Sequence, residues 1–212
     1  MAQKILYEDD SIIVVNKAAN VETQGPRSLI SLLDALLKSR RPPEKAYACH
    51  RLDKETSGVI VFAKDSRSQK IIMDQFRQGE VKKRYYAIIE GCPARARALI
   101  RDPIVEKIVR GVPVYKDAAT EYAVIERHEG YCVADVAPFS GRKNQIRVHF
   151  KKIGHPLIGD RKFNRAHRMQ FHFSRAALHA YRIEFFHPRD RRPVCFEAPL
   201  AEDMVRFLRT HH

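Results

Sequence analysis

The chain has 212 residues, 44% hydrophobic and 30% charged, which is long enough to bury a core without disulfides or metal and too apolar for disorder. Its 39 lysines and arginines against 25 aspartates and glutamates give a net charge of +14, which attracts polyanions and makes nucleic acid the leading partner. The longest apolar run, Ile12 to Val15, is far too short to span a bilayer, and acidic residues interrupt the N-terminus before a signal-like stretch can form, so no membrane association and a cytoplasmic protein are expected.

Ile12 to Val15 predicts a buried strand with Lys17 at its end, entering a loop through Ala18-Ala19-Asn20. Ser28 then caps a predicted helix whose stripe of Leu29, Ile30, Leu32, Leu33, Leu36 and Leu37 is assigned to the core; Arg40-Arg41-Pro42-Pro43 stops it. Val59 to Ala63 predicts a second strand, Ser66 to Gln78 a helix ending at Gly79, and Arg84 to Ile89 a third strand. Pro93 to Ala118 reads as basic and irregular. Ala119 to Ala137 reads as a hairpin turning at Glu129-Gly130. Asn144 to Ile153 has apolar residues at helical spacing, Ala180 to Phe186 and Val194 to Phe196 alternate, and a last helix carries Met204, Val205 and Leu208. Strands and helices interleave without a βαβ rhythm, so the expected class is α+β, a largely antiparallel or mixed central sheet with flanking helices and loops. No repeat or long linker divides the chain, and residues 1–212 are expected to form a single domain.

The cysteines at 49, 92, 132 and 195 form no Cys-x-x-Cys pair, and His50, His149, His155 and His179 show no metal-ligand spacing, so reduced thiols and no metal are expected. Three segments could carry chemistry. Asp53 lies between Arg51 and Lys54 on a loop ending in Thr56-Ser57-Gly58, small residues suited to a close approach between backbone and ligand. Cations keep such a carboxylate ionised, as a nucleophile or simply as a solvated ion pair. Tyr85 and Tyr86 occupy a strand behind Lys82-Lys83-Arg84, where one ring can stack a base and the other pack in the core. Gly141-Arg142-Lys143-Asn144-Gln145-Ile146-Arg147 brings cations to a helix start, either to hold an anion or as a solvated face; Arg147 suits pairing with a buried carboxylate, being planar and bidentate.

His50-Arg51-Leu52-Asp53-Lys54-Glu55-Thr56-Ser57-Gly58, continuing to Lys64, closely resembles the catalytic signature of the RluA-type pseudouridine synthase family. Lys83 to Gly91 resembles the family's Lys-x-Tyr strand, Gly141 to His149 with Gly154 to Asp160 its third block, and Leu178-His179-Ala180 with His187-Pro188 its C-terminal elements. The resemblance implies a single catalytic domain that isomerises uridines in structured RNA, ribosomal or transfer, with no cofactor. It implies Asp53 as nucleophile, Tyr85 stacked on the target uracil, Arg147 paired with Asp53, and Arg51 holding the flipped RNA, with Leu52, Ile146 and Arg142 as further substrate contacts. A monomer without an obligatory protein partner is expected. So is a chain that starts at the catalytic domain, with target choice resting on its own basic surface and Pro93 to Ala118 as the substrate-contacting loop.

Departures from the family pattern are Lys17-Ala18-Ala19-Asn20 in place of Lys-Pro-x-Gly, Lys143-Asn144 in place of Thr-His, and Phe163-Asn164 in place of an aromatic-glycine pair. The alternative class is a non-catalytic RNA-binding or RNA-folding protein, motivated by the charge and these departures. A hydrolase using Asp53 with a histidine is a third reading.

Overall fold

A computed structural model describes residues 4–40, 44–164 and 171–211. In chain order the elements are β1 (Lys4–Glu8), β2 (Ile12–Lys17), α1 (Leu29–Lys38), β3 (Tyr47–Ala48), β4 (Ser57–Ala63), α2 (Ser66–Gln78), β5 (Lys82–Glu90) and β6 (Arg97–Arg101). They continue with β7 (Ile104–Val109), β8 (Val112–Lys116), β9 (Ala119–His128), β10 (Tyr131–Pro138), α3 (Gln145–Lys152), β11 (Leu178–Phe186), β12 (Pro193–Glu197) and α4 (Glu202–Thr210). The class is α+β, as the sequence predicts. The chain forms two compact units, Met1–Lys83 with Ala180–Ala201 and Arg84–His179 with Glu202–His212. Among the described residues no helix is long and apolar enough to cross a membrane.

In the first unit β2 pairs antiparallel with β1 and β4, and β3 adds to β4. Every residue of β4 is buried, as a β-branched run covered on both faces requires. Asp65 caps α2, accepting the Ser68 N–H at 2.8 Å, and Gly79 closes it at φ +74°. Two expectations need correction. The α1 stripe is only half core, because Leu29, Leu33 and Leu37 are buried while Leu32 and Leu36 face outward. Ser28 occupies the N-cap position but donates to the Gly25 carbonyl; the Leu29 and Ile30 N–H groups are taken by the Glu22 and Thr23 carbonyls. The proline stop at Pro42-Pro43 lies outside the described residues.

Gly58 is explained by protein packing. It sits at φ +115°, and a Cβ there would lie 2.1 Å from the Ala180 carbonyl oxygen. Thr56 and Ser57 are also buried, so the close backbone approach expected at this segment is made to β11.

In the second unit β5, β10, β9 and β6 form an antiparallel sheet in that order. The β9–β10 hairpin turns at Glu129-Gly130, as predicted. Tyr85, Ala87 and Ile89 alternate onto one face of β5, where α3 contributes Ile146 and Phe150 to a buried cluster. Pro93 to Ala118 is not irregular: it holds β6 and the separate β7–β8 ribbon. Its strands escape the alternation test because β7 and β8 are exposed on nearly every residue, with a bulge between Val105 and Lys107. α4 buries Met204 and Phe207, with Val205 and Leu208 at the margin of that face.

Candidate active site

Asp53 stands in the first unit on the loop between β3 and β4, half-buried, with its carbonyl closing a turn onto the Thr56 N–H at 3.0 Å. The peptides on either side are held. At Leu52, the Thr23 hydroxyl donates to the carbonyl at 2.9 Å and accepts the N–H at 3.2 Å. At Lys54, the carbonyl accepts from the Lys17 ammonium at 3.2 Å. That ammonium is fully buried and also donates to the carbonyls of Ala18 (3.0 Å) and Val21 (2.8 Å), folding the departed turn around itself. Asn20 takes φ +64° there, in the left-handed region that asparagine tolerates better than most residues.

The cations flanking Asp53 are displayed outward. Arg51 and Lys54 are exposed, and the Lys54 ammonium lies 3.7 Å from Glu22 in an open pair that contributes little. Leu52 is buried, so what its side chain gives the loop is an anchor. His50 accepts the Val61 N–H through Nε2 at 3.1 Å, and its ring lies tilted against Phe76 with the ring centroids 4.9 Å apart. Burial and then the charge of Lys83 push its pKa down to about 3, which keeps it neutral. Burial pushes the adjacent Cys49 thiol up to about 12, so neither residue supplies an activated nucleophile or a base at neutral pH.

Tyr85, Arg142, Ile146 and Arg147 stand in the second unit. Tyr85 is half-buried on the same sheet face as α3, packed against the cluster that includes Ile146; Ile146 itself is 5% exposed and serves that core. Arg147, the next residue, directs the Nε–Nη2 edge of its guanidinium onto Asp160, with both N–H···O distances 2.7 Å and side-chain exposures of 7% and 0%. Asp160 also accepts the Lys162 and Phe163 N–H groups, and the Phe163 ring lies 5.2 Å from the guanidinium carbon. The Asn144 side chain accepts from Nη1 at 3.3 Å. The sequence shows Asp160 only as the end of a block, and the signal that it is buried is its place directly after Leu157-Ile158-Gly159.

Gln145 orders the loop before α3. Its Oε1 accepts from the Ser140 hydroxyl (2.6 Å) and the Arg142 N–H (3.0 Å), while its Nε2 donates to the Ala119 carbonyl (2.9 Å) and the Thr120 hydroxyl (3.0 Å). Arg142 leans toward the β7–β8 ribbon, 3.4 Å from the Asp117 carbonyl and 3.7 Å from Glu106. Two histidines of this unit have structural partners: His149 bridges Thr120 and the Asp102 carbonyl, and His155 bonds the Glu90 carbonyl. No cluster of three metal-ligating side chains occurs among the described residues.

A model of the RNA pseudouridylate synthase family matches residues 11–152, which takes in the Asp53 loop, the Tyr85 strand and Arg147. The chain belongs to that family. It is 33% identical over 219 residues to ribosomal large subunit pseudouridine synthase C of Vibrio vulnificus, covering 97% of this chain and 69% of that one. It is 35% identical over 230 residues to ribosomal large subunit pseudouridine synthase D of Neisseria meningitidis, covering 98% of this chain and 61% of that one. Among solved structures it resembles human RNA pseudouridylate synthase domain containing 4 with a TM-score of 0.83 and 25% identity, covering 97% of this chain and 91% of that one. The RluA-type resemblance of the sequence thus extends over nearly the whole chain, and the chain is an isomerase that converts uridine to pseudouridine in RNA.

Proposed function

We propose that the two units work as one catalytic domain on ribosomal RNA, the substrate named for the bacterial relatives, with transfer RNA as a second structured target. Asp53 is the nucleophile. The observation that carries this is its setting: a carboxylate that is not fully buried, on a loop whose neighbouring peptides are both fastened to the protein. A carboxylate so held meets substrate with little reorganisation, which is where much of catalytic efficiency lies.

The target uridine must leave the RNA stack before its glycosidic bond can be reached, which costs a few kcal/mol. Tyr85 receives the uracil, supported by its position on the α3 face of β5, and exposed Arg51 stands in for the departed base. Arg147 is the residue we assign to pair with Asp53, because a planar, permanently charged guanidinium suits a carboxylate, and Asp160 holds its Nε–Nη2 edge in a fixed orientation. Leu52 and Ile146 act by anchoring Asp53 and Arg147, and Arg142 offers its charge to a phosphate in place of Glu106. In the reaction the bond from C1′ to uracil N1 breaks, the freed ring turns, C1′ bonds to C5, N1 gains a proton and C5 loses one. Attack of Asp53 on C1′, attack on the ring, and removal of a ribose proton all require its anionic form.

The β7–β8 ribbon, with Lys107 and Arg110 near its tip, contacts RNA. The protein acts as a cytoplasmic monomer with no metal or organic cofactor. To test the reading, RNA from cells lacking the protein is incubated with wild type or with Asp53→Asn and mapped for pseudouridine. New sites are expected with wild type alone; identical maps reject Asp53 as nucleophile. RNA binding without isomerisation of any cellular RNA would favour a non-catalytic binding protein, and free uracil among the products a hydrolase.

A further inference from the structure

We propose that Thr23 is a positioning residue for Asp53, transmitting the fixed orientation of α1 to the nucleophile loop through a single hydroxyl. The proposal rests on Asp53 as the nucleophile and names what aims it.

Thr23 is 4% exposed, so its side chain is directed at the protein and not at solvent. Its hydroxyl serves both polar backbone groups of Leu52, donating to the carbonyl and accepting the N–H. Leu52 itself is 4% exposed, so without the Thr23 hydroxyl those groups are buried with a partner missing, which the loop can relieve only by shifting. Thr23 is fixed in turn by its own backbone. Its carbonyl accepts the Ile30 N–H at 3.2 Å, and the Glu22 carbonyl accepts the Leu29 N–H at 2.8 Å. These are orphan donors of the first turn of α1, which Ser28 leaves to the preceding segment.

The line of contacts therefore runs from a helix end to Thr23, to both sides of the Leu52 peptide, and on to Asp53. On the far side Lys17 holds the Lys54 carbonyl. Asp53 is the residue between the two fastenings, and a loop with one of them removed can turn its carboxylate while remaining folded. Of the two, Thr23 is the one that can be removed by an isosteric exchange, because Thr23→Val swaps a hydroxyl for a methyl and leaves no buried charge behind.

The test uses the full chain and protein-free ribosomal RNA from cells lacking the protein, with single-turnover rate, RNA dissociation constant and unfolding midpoint measured for each variant. Thr23→Val is expected to slow turnover about ten- to a hundredfold with RNA affinity unchanged, the cost of a nucleophile displaced by about 1 Å. Thr23→Ser, which keeps the hydroxyl, is expected to retain turnover within about threefold of wild type even where the lost methyl lowers the midpoint. The proposal is overturned if Thr23→Val turns over at the wild-type rate per folded molecule, or if Thr23→Ser is as slow as Thr23→Val. Asp53→Asn, run alongside, separates the two claims: its full activity removes the nucleophile, whereas its inactivity beside a fast Thr23→Val removes only the positioning role.

Discussion

Replacing Asp160 by Asn should damage the protein out of proportion to the small change in shape. Asp160 is fully buried and accepts two N–H groups of Arg147 at 2.7 Å, together with the Lys162 and Phe163 N–H groups at 3.1 Å. An Asn keeping its Oδ1 on the two backbone donors points its own NH2 at Arg147 Nε, donor against donor. The guanidinium keeps its charge in a site 7% exposed, with no carboxylate on that edge. Breaking a buried pair from one side costs about 3–5 kcal/mol, a large share of the 5–15 kcal/mol by which domains are typically stable. With a urea slope of about 2–3 kcal/mol/M, the midpoint should fall by about 1–2.5 M. Urea titrations followed by circular dichroism measure this, with turnover per folded molecule as a second readout. Turnover should also fall, because the guanidinium loses the carboxylate that aims it. A midpoint within about 0.3 M of wild type would refute the idea that this pair is integral to the fold.

Gly58→Ala places a Cβ 2.1 Å from the Ala180 carbonyl at φ +115°, so a loss of about 3 kcal/mol or more is expected, read as a lower denaturation midpoint; wild-type stability would contradict the close packing of β4 on β11. His50 is held at about 3 in the fold against its ordinary 6.5, so its contribution to stability is present above about pH 6.5 and lost as pH falls toward 3. At most this gives about 1.4 kcal/mol per pH unit, and His50→Gln, which can still accept the Val61 N–H, should flatten the slope measured between about pH 7 and 5; parallel slopes would count against it. RNA affinity should drop at least about tenfold between about 50 and 200 mM salt, and Lys107→Ala with Arg110→Ala should weaken binding and reduce that dependence; a flat response to salt would be inconsistent with phosphate contacts.

The elements that position the site were legible because their patterns are local. A β-branched run made β2, the turn at Glu129-Gly130 marked the β9–β10 hairpin, and α2 runs from Ser66 to Gln78 and closes at Gly79 where the sequence placed it. What escaped depended on contacts between distant segments. The α1 stripe looked entirely apolar, but only its Leu29, Leu33 and Leu37 face has anything to cover it. The β7–β8 ribbon carries little burial pattern because both its faces are exposed, so its pairing alone reveals it. Within the site, Asp53, Tyr85 and Arg147 stood out through the resemblance of their segments. Their supports did not. Thr23, Lys17 and Asp160 are ordinary residue types in unremarkable surroundings, and their roles arise from meeting Leu52, Lys54 and Arg147 across 29, 37 and 13 positions of sequence. The small residues ending at Gly58 mark a close approach in the sequence without saying to what, and the partner is the Ala180 carbonyl of β11, not a ligand.

The central claim is that Asp53 carries out the isomerisation, and each turnover frees the hydrogen on C5 of the uridine. RNA labelled with tritium at C5 of uridine, prepared from cells lacking the protein, reports that event directly. Wild type should release one tritium for each pseudouridine formed, while Asp53→Asn binds the same RNA with comparable affinity and releases none above background. Release by Asp53→Asn at the wild-type rate would contradict the account.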